Sequence, residues 1–435
     1  MAARTVLSGP SSLRTHLKSA VSFLRRSPCL IISSDLPAEE HHKPNPAVKS
    51  FRQSISDHCN RAGFTASMEL GLRTVNCTVS SAYPTRNDVQ RGVDMANRTG
   101  ATTVIGVGAG AAVDCAKAVA ARMASALGSS SSNGSSSVDL ILAPATLGST
   151  MAAMSSTPLI LSTAEEALLP PYLACAPDRK TITPADFAPV NPTVCLDGES
   201  MGFMDTCMMR EGSQKESISL ATPIDGALAS LAICVESSLF LADQAGSIGG
   251  DELEAMHNFM EGARSNALAT IDAHRKDSEN DFDGIDAQKV ARLHAAAAVA
   301  HAGQLLRFGD RIDRKRSVSI ALVSSLLPRY FPHGHALTFM ASLLSGLCES
   351  CESMRKGSVG ETPIRIGEQA IEDFPAWYEE VTAAMDVPKL VNMAEGTPDV
   401  GSMMTKVDAN SALVGCEEVG GYDLVEAVLH RSLNK

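Results

Sequence analysis

The stretch Gly106-Val-Gly-Ala-Gly-Ala-Ala-Val-Asp-Cys-Ala-Lys117 sets the architecture of the whole chain. It follows an apolar, β-branched run over 102–107, which has the length of a buried strand, and it leads into a helical pattern over 113–126. Strand, glycine turn and helix is therefore the predicted order. Glycines at such a turn let the backbone approach a ligand, and the N-terminus of the next helix attracts phosphate oxygens. A tight turn whose glycines serve only packing is the alternative interpretation.

The segments around this stretch alternate between strand and helix patterns. Short apolar runs at 5–10, 29–35, 75–79 and 138–143 have the composition of strands, and amphipathic segments between them have helical periodicity. Such alternation predicts a mostly parallel sheet wound with helices on both faces. The first half of the chain is therefore expected to be an α/β dinucleotide-binding domain of the Rossmann-like type.

Composition changes near residue 218 and divides the chain into two predicted domains. We expect the NAD-binding α/β domain over 1–217, with a serine-rich surface loop at 125–137. From 218 to 435 the chain is rich in alanine, leucine and methionine and has few strand candidates, which predicts an all-α domain. A length of 435 residues with 44% hydrophobic content is consistent with two buried cores.

Charge and cysteine content restrict the partners and the compartment. A net charge of -12 and a pI near 5.4 argue against nucleic acid or an anionic membrane as a partner. No apolar run reaches the about 20 residues that span a bilayer. Eleven cysteines without a disulfide framework predict reduced thiols and a cytoplasmic location. The first 34 residues contain no acid, so a mitochondrial or plastid transit peptide is the alternative, although they also supply strand and helix patterns.

Four motifs in order resemble the iron-containing alcohol dehydrogenase family, which is related to dehydroquinate synthase and glycerol dehydrogenase. The segment from Gly108 to Lys117 resembles the family's Gly-Gly-Gly-Ser-x-x-Asp-x-Ala-Lys motif. A second turn resembles its Pro-Thr-Thr-x-Gly-Thr-Gly-Ser motif. Ala227-Leu-Ala and Pro332-His-Gly334 match later landmarks of the family. The residues that match the second turn are Pro144, Thr146, Gly148 and Ser149.

The resemblance implies a dinucleotide domain, a helical domain, and a cleft between them that holds NAD(P) and a divalent metal. Asp35 matches the acid that closes the second strand, where a carboxylate would bind ribose hydroxyls and repel a 2′-phosphate, so NAD is expected rather than NADP. The candidate cofactor-binding residues are Asp35, Gly108, Ala109, Gly110, Ala111, Asp114, Lys117, Thr146, Gly148 and Ser149.

Each candidate side chain also has a structural interpretation that stays open at this point. Asp35 could be a surface acid that caps a turn. The hydroxyls of Thr146 and Ser149 could close their own loop. Asp114 and Lys117, three residues apart on a helix, could form a surface ion pair.

The metal ligands of the family are not matched in this sequence. Aligned on Ala227-Leu-Ala, the usual Asp and His positions are Gly226 and Ser230, and a third ligand position falls at Ser319. Asp225 is one residue away, a rotation of about 100° on a helix. Of the expected ligands only His333 is present, so we expect no metal site, because zinc or iron needs three or four protein ligands. The histidines that could rebuild a site elsewhere are His294, His301 and His335.

These observations predict a metal-independent, NAD-linked oxidoreductase that acts on a small alcohol, carbonyl or enone carboxylate and resembles maleylacetate reductases. His333 is the candidate catalytic proton donor, and the basic segment Arg311–Arg316 could bind substrate carboxylates. One alternative is a metal-dependent alcohol dehydrogenase with relocated ligands. The other is a catalytically degenerate homologue that binds a nucleotide or a partner chain. We also expect a homodimer.

Overall fold

The computed structural model divides into two compact units, Met1–Ala174 with Arg179–Ile218 and Cys175–Asp178 with Ser219–Lys435. Within both units the structure describes only part of the chain. The described residues are 5–9, 11–24, 27–34, 71–79, 84–128, 138–154, 160, 192–198, 201, 221–244, 248–279, 285–312, 336–357, 364–366, 369–383, 385–390, 399–401, 403–405 and 422–433.

The first unit is built on a six-stranded sheet in which all paired strands are parallel. The order of strands across the sheet is β1-β6-β5-β4-β2-β3. The strands are β1 (Thr5–Gly9), β2 (Cys29–Ser34), β3 (Thr74–Val79), β4 (Thr103–Gly108), β5 (Asp139–Pro144) and β6 (Thr193–Asp197).

Four described helices accompany this sheet. They are α1 (Ser12–Leu24), α2 (Arg86–Thr99), α3 (Gly110–Gly128) and α4 (Leu147–Met154). The start of α2 is fixed by a capping box, because the Thr85 hydroxyl accepts from Asp88 N while the Asp88 carboxylate accepts from Thr85 N. Its end is fixed by Gly100, which has the left-handed conformation that stops a helix.

The centre of the sheet is buried and tightly packed. All six residues of β4 are buried, which requires cover on both faces of the strand. A methyl group added at Gly106 of β4 would lie 2.7 Å from Ala116 Cβ and 3.0 Å from Leu142 Cδ2. Helix α3 therefore lies directly on β4 through small residues, and this close approach determines where its N-terminus points.

The second unit is helical apart from one two-stranded hairpin among its described residues. Its helices are α5 (Pro223–Gln244), α6 (Gly250–Glu279), α7 (Ile285–Ile312), α8 (Ala336–Gly357), α9 (Phe374–Thr382) and α10 (Tyr422–Leu433). The hairpin consists of β7 (Ile364–Ile366) and β8 (Gln369–Ile371), which pair antiparallel. Among the helices in the described ranges, none is both long and apolar enough to cross a membrane.

The predicted fold class, an α/β domain followed by a helical domain, is confirmed. One boundary is wrong: α3 continues through Gly128, so the first four residues of the predicted 125–137 loop are helical. The Ser125 hydroxyl donates to Ala121 O at 3.0 Å, which accommodates a serine inside the helix. The rest of that predicted loop lies outside the described residues.

Candidate cofactor site

The glycine turn joins β4 to α3 with a conformation that favours glycine. Gly108, the last residue of β4, has φ 131°, a region that side chains rarely adopt. Ala109 O accepts from Ala112 N at 3.1 Å and from Val113 N at 3.3 Å, so α3 begins at once. The first N–H groups of any helix have no acceptor within that helix. These donors and the helix dipole form a site suited to phosphate oxygens.

The space beside the first residue of α3 is open. A methyl group built at Gly110 would meet no heavy atom within 4 Å. Gly110 is not among the glycines with positive φ, so only Gly108 needs a special backbone conformation. Because Gly106 serves packing against α3, the three glycines of this stretch have three different roles.

The second predicted turn lies beside the first at the carboxyl edge of the sheet. Strands β4 and β5 are neighbours, and Ala145 N donates to Gly108 O at 2.9 Å directly after both strands end. The hydroxyls of the turn bind within it. Ser149 N donates to Thr146 Oγ1 at 3.1 Å and Thr146 N donates to Ser149 Oγ at 2.9 Å, which caps α4.

Ser149 is only 1% exposed, and its hydroxyl also donates to Thr146 O at 2.8 Å. The loop-closing interpretation of these two residues therefore describes their geometry in this structure. Their contact with a cofactor stays a prediction, as does that of Gly148, which lies in the same first turn of α4.

Asp114 and Lys117 form an ion pair that is buried rather than on the surface. Lys117 Nζ lies 2.7 Å from Asp114 Oδ1, and their side chains are 7% and 10% exposed, respectively. The same ammonium donates to Ala152 O of α4 at 2.8 Å. Lys117 therefore connects α3 to the helix that follows the second turn.

The winding of the sheet reverses beside the glycine turn. From β2 the chain continues to β3 on one side, whereas from β4 it continues to β5 and β6 on the other. In open α/β sheets, ligands bind at the carboxyl ends of the strands where this reversal occurs. The crevice here lies between β2, which ends at Ser34, and β4, which ends at Gly108. Asp35 follows Ser34 in the chain but lies outside the described residues.

In the second unit, Asp225 and Thr222 form a capping box at the start of α5. Thr222 N donates to Asp225 Oδ2 at 2.9 Å, and Asp225 N donates to Thr222 Oγ1 at 3.1 Å. The Thr338 hydroxyl of α8 donates to the same carboxylate oxygen at 3.0 Å. Burial raises the pKa of Asp225, and the hydrogen bonds from Thr222 and Thr338 counteract part of that rise.

The described residues at the family's metal positions do not fit a divalent metal. Gly226 has no side-chain donor, and Ser230 is fully buried with its hydroxyl donating to Gly226 O at 2.7 Å. Within the described ranges, no group of three or more His, Cys, Asp or Glu side chains could hold a metal ion. Ser319, His333 and the alternative ligand His335 lie outside those ranges.

His294 and His301 are packed between α6 and α7. His294 Nδ1 lies 3.1 Å from Asn266 Oδ1, and the ring of His301 lies against Gly262, 2.8 Å from where a methyl group would be. Burial lowers the pKa of His301. The two histidines are seven residues apart on one helix, about 10 Å along its axis, so they are poorly placed to share one metal.

Comparisons with known proteins agree with this geometry. Residues 52–167, which include both turns, match the family model of iron-containing alcohol dehydrogenase. This part of the chain resembles the iron-containing alcohol dehydrogenases. The family predicted from the motifs is confirmed, and the match supports the prediction of an alcohol dehydrogenase-like oxidoreductase. A comparison with curated protein sequences finds no match.

Solved structures of maleylacetate reductases and iron-containing alcohol dehydrogenases share the fold of this chain over nearly its whole length. Maleylacetate reductase from Agrobacterium tumefaciens has a TM-score of 0.56 and 15% identity, covering 100% of this chain and 97% of the other. The iron-containing alcohol dehydrogenase from Thermococcus thioreducens has a TM-score of 0.58 and 13% identity, covering 100% and 99%. That from Thermotoga maritima has a TM-score of 0.53 and 12% identity, covering 99% and 98%. At such identities the likeness shows the fold alone.

Two features of these candidate residues, one in each unit, were missed by sequence reasoning. The bond from Lys117 to Ala152 joins residues 35 positions apart, and alanine gives no signal because only its carbonyl takes part. The capping role of Asp225 did have a signal, since Thr222-Pro-Ile-Asp225 has the spacing of a capping box with proline at the first helical position.

Proposed function

We propose that this chain is an NAD-linked oxidoreductase that acts on a small carbonyl or enone bearing a carboxylate, without a tightly bound divalent metal. The position of the glycine turn carries the proposal. Gly108 and the N-terminus of α3 border the crevice where the winding of the sheet reverses. The residues present fit a dinucleotide, because this turn combines helix N–H donors with open space beside Gly110.

The order of strands supports a dinucleotide rather than a single phosphate. Three strands end side by side at the carboxyl edge: β2 at Ser34, β4 at Gly108 before the glycine turn, and β5 at Pro144 before the Thr146 turn. Neighbouring strands are about 4.8 Å apart, so this row extends over about 10 Å. A dinucleotide laid along it would have its adenosine ribose near β2, its pyrophosphate at the glycine turn, and its nicotinamide towards β5.

The proposed choice of NAD depends on Asp35. A carboxylate one residue beyond β2 would accept hydrogen bonds from ribose hydroxyls and would repel the 2′-phosphate of NADP. When bound, NAD supplies the hydride chemistry. The residues of the chain bind it, orient it and keep water away, as the wholly buried strand β4 does beneath the turn.

The substrate class follows from the metal positions. A divalent metal stabilises a developing alkoxide in alcohol oxidation. Gly226 and Ser230 do not fit that role, so proton donation by a side chain is the proposed substitute. His333 is our candidate donor from the sequence, and the arginines of 311–316 are candidates for binding a substrate carboxylate.

A titration of the purified full-length chain tests the proposal. NADH binding is measured by nicotinamide fluorescence, with NADPH titrated in parallel, and NADH oxidation is then measured with small 2-oxo acids and unsaturated keto acids. We expect NADH to bind more tightly than NADPH and at least one substrate of this class to be reduced. Binding without turnover of any such substrate would instead identify a catalytically degenerate nucleotide-binding homologue. Absence of both NADH and NADPH binding would overturn the proposal.

A further inference from the structure

Hydrogen bonds near both ends of helix α4 connect it to β4 and α3. Just before α4 begins, Ala145 N donates to Gly108 O, the last residue of β4, at 2.9 Å. Towards its end, Lys117 Nζ of α3 donates to Ala152 O at 2.8 Å. Five of the eight residues of α4 are buried, so packing also contributes to its position. These two bonds join the two turns that border the candidate cofactor site more directly than packing does.

Lys117 is suited to such a structural task. Ala152 is among the last four residues of α4, whose carbonyls have no partner within the helix, and a cation at this end is also favoured by the helix dipole. Asp114 holds the ammonium from the other side at 2.7 Å. Both side chains are almost fully buried, so solvent screens this pair much less than it would screen a surface pair.

The position of Lys117 also separates it from the phosphate-binding donors. It is the eighth residue of α3, so its Cα lies about 10 Å along the axis from Gly110, where the helix begins. Its ammonium contacts Asp114 Oδ1 and Ala152 O.

We propose that Lys117 is a positioning residue that holds the Thr146 turn at the correct distance from the glycine turn for the nicotinamide half of the cofactor. The proposal rests on the proposed NAD site. It differs from the expectation that Lys117 binds cofactor phosphates, because the effect here passes through α4. Loss of Lys117 should therefore affect the nicotinamide end of the ligand more than the adenosine and pyrophosphate end.

The test compares two ligands on the same variants. ADP-ribose contains the adenosine and both phosphates but lacks the nicotinamide, so its affinity reports on the glycine turn alone. In Lys117→Met, NADH affinity should fall by about tenfold, the loss expected when one or two hydrogen bonds to a ligand are misaligned. ADP-ribose affinity should change by less than about twofold, within the variation of distant substitutions.

A second variant separates positioning from the cost of leaving Asp114 unpaired. Lys117→Met alone leaves a buried carboxylate without its cation, which lowers the melting temperature. Asp114→Asn with Lys117→Met removes both charges, so stability should recover while NADH affinity stays reduced. Arg264→Met is the matched control, because Arg264 forms an ion pair of the same spacing with Glu261 in the other unit, at 2.7 Å. It should not change the ratio of the two affinities.

Two outcomes would contradict the positioning role of Lys117. Equal losses of NADH and ADP-ribose affinity would make Lys117 a phosphate ligand. A lower melting temperature with both affinities intact would make it a stability residue only. Failure of the unmodified protein to bind either ligand would instead contradict the proposed NAD site itself, so the two failures are distinguishable.

Discussion

At the scale of single residues, Gly110 offers the cleanest test of the glycine turn. A Cβ atom added there meets no protein atom within 4 Å, so Gly110→Val should fold normally and occupy the space before the N-terminus of α3. NADH affinity should fall by at least about tenfold, since phosphate oxygens would lose direct access to the helix N–H groups. Fluorescence titration measures the affinity, and thermal melting checks the fold.

Gly250 provides a matched control for this substitution. It is the first residue of α6, and a Cβ atom added there also meets no protein atom within 4 Å. Gly250→Val should therefore carry the same helix-propensity cost and leave NADH affinity unchanged. If Gly110→Val binds NADH as tightly as the parent does, the turn serves packing only.

Asp35 should determine the choice between the two nicotinamide cofactors. Asp35→Gly removes the repulsion of a 2′-phosphate and the hydrogen bonds to ribose hydroxyls. The ratio of NADPH to NADH affinity should rise by about tenfold or more, or about 1.4 kcal/mol per factor of ten. The measurement is a pair of titrations on parent and variant. An unchanged ratio would assign Asp35 to the surface-acid interpretation.

The limits of sequence reasoning appear clearly in the three glycines of the first turn. A β-branched run followed by glycines was enough to predict a strand and a turn at 102–110, because these preferences are local. The sequence alone could not show that Gly106 packs against Ala116, that Gly108 has φ 131°, or that Gly110 faces open space. Those differences depend on helix α3 and on strand β5, more than 30 residues away, and hence on packing.

At the scale of elements, the strands and helices of the first unit follow from local patterns, whereas their connections do not. Helix α2 begins at the capping box that Thr85 and Asp88 form three residues apart, a spacing visible in the sequence. The attachment of α4 to α3 through Lys117 joins two elements across 35 residues. No periodicity records such a bond, so the buried state of Lys117 could not be predicted.

Asp225 makes a testable connection between the beginnings of α5 and α8. Its raised pKa means that the folded protein binds this proton more tightly than the unfolded chain does. The carboxyl group's contribution to stability is therefore fully present at low pH and is lost as pH rises through its folded pKa. Asparagine can accept the same hydrogen bonds from Thr222 and Thr338 without a buried charge.

Asp225→Asn should accordingly be at least as stable as the parent at pH 7, with its advantage shrinking as pH falls towards 4. Asp225→Ala should lose about 1–2 kcal/mol, the value of a helix cap. Urea unfolding at several pH values measures both variants. A loss of more than about 1 kcal/mol in Asp225→Asn at pH 7 would show that the charge itself is stabilising, as a bound cation would make it.

At the scale of the whole molecule, the fold is shared with solved structures at 12–15% identity, although Gly226 and Ser230 stand where the family resemblance implies an Asp and a His. Buried small residues such as Gly106 and Ala116 keep the sheet and helix in register, which is a requirement of packing. Side chains that bind a metal are constrained by the chemistry of the ion rather than by packing.

The protein as purified should therefore hold no stoichiometric iron or zinc. Gly226 has no side-chain ligand atom, and the Ser230 hydroxyl is bound to Gly226 O. The third ligand position of the family is Ser319 in this sequence. Serine hydroxyls bind transition metals poorly at neutral pH. A single imidazole at His333 does not compensate. A chelator should leave NADH-dependent activity within about twofold of the untreated value, because the function we propose uses no metal ion. Elemental analysis of the protein, followed by assays with and without EDTA, gives both measurements.

One tightly bound metal per chain, with activity lost to EDTA and restored by zinc or iron, would establish the metal-dependent alternative. Since His294 and His301 are about 10 Å apart along α7, such a site would include at most one of them, together with His333 or His335.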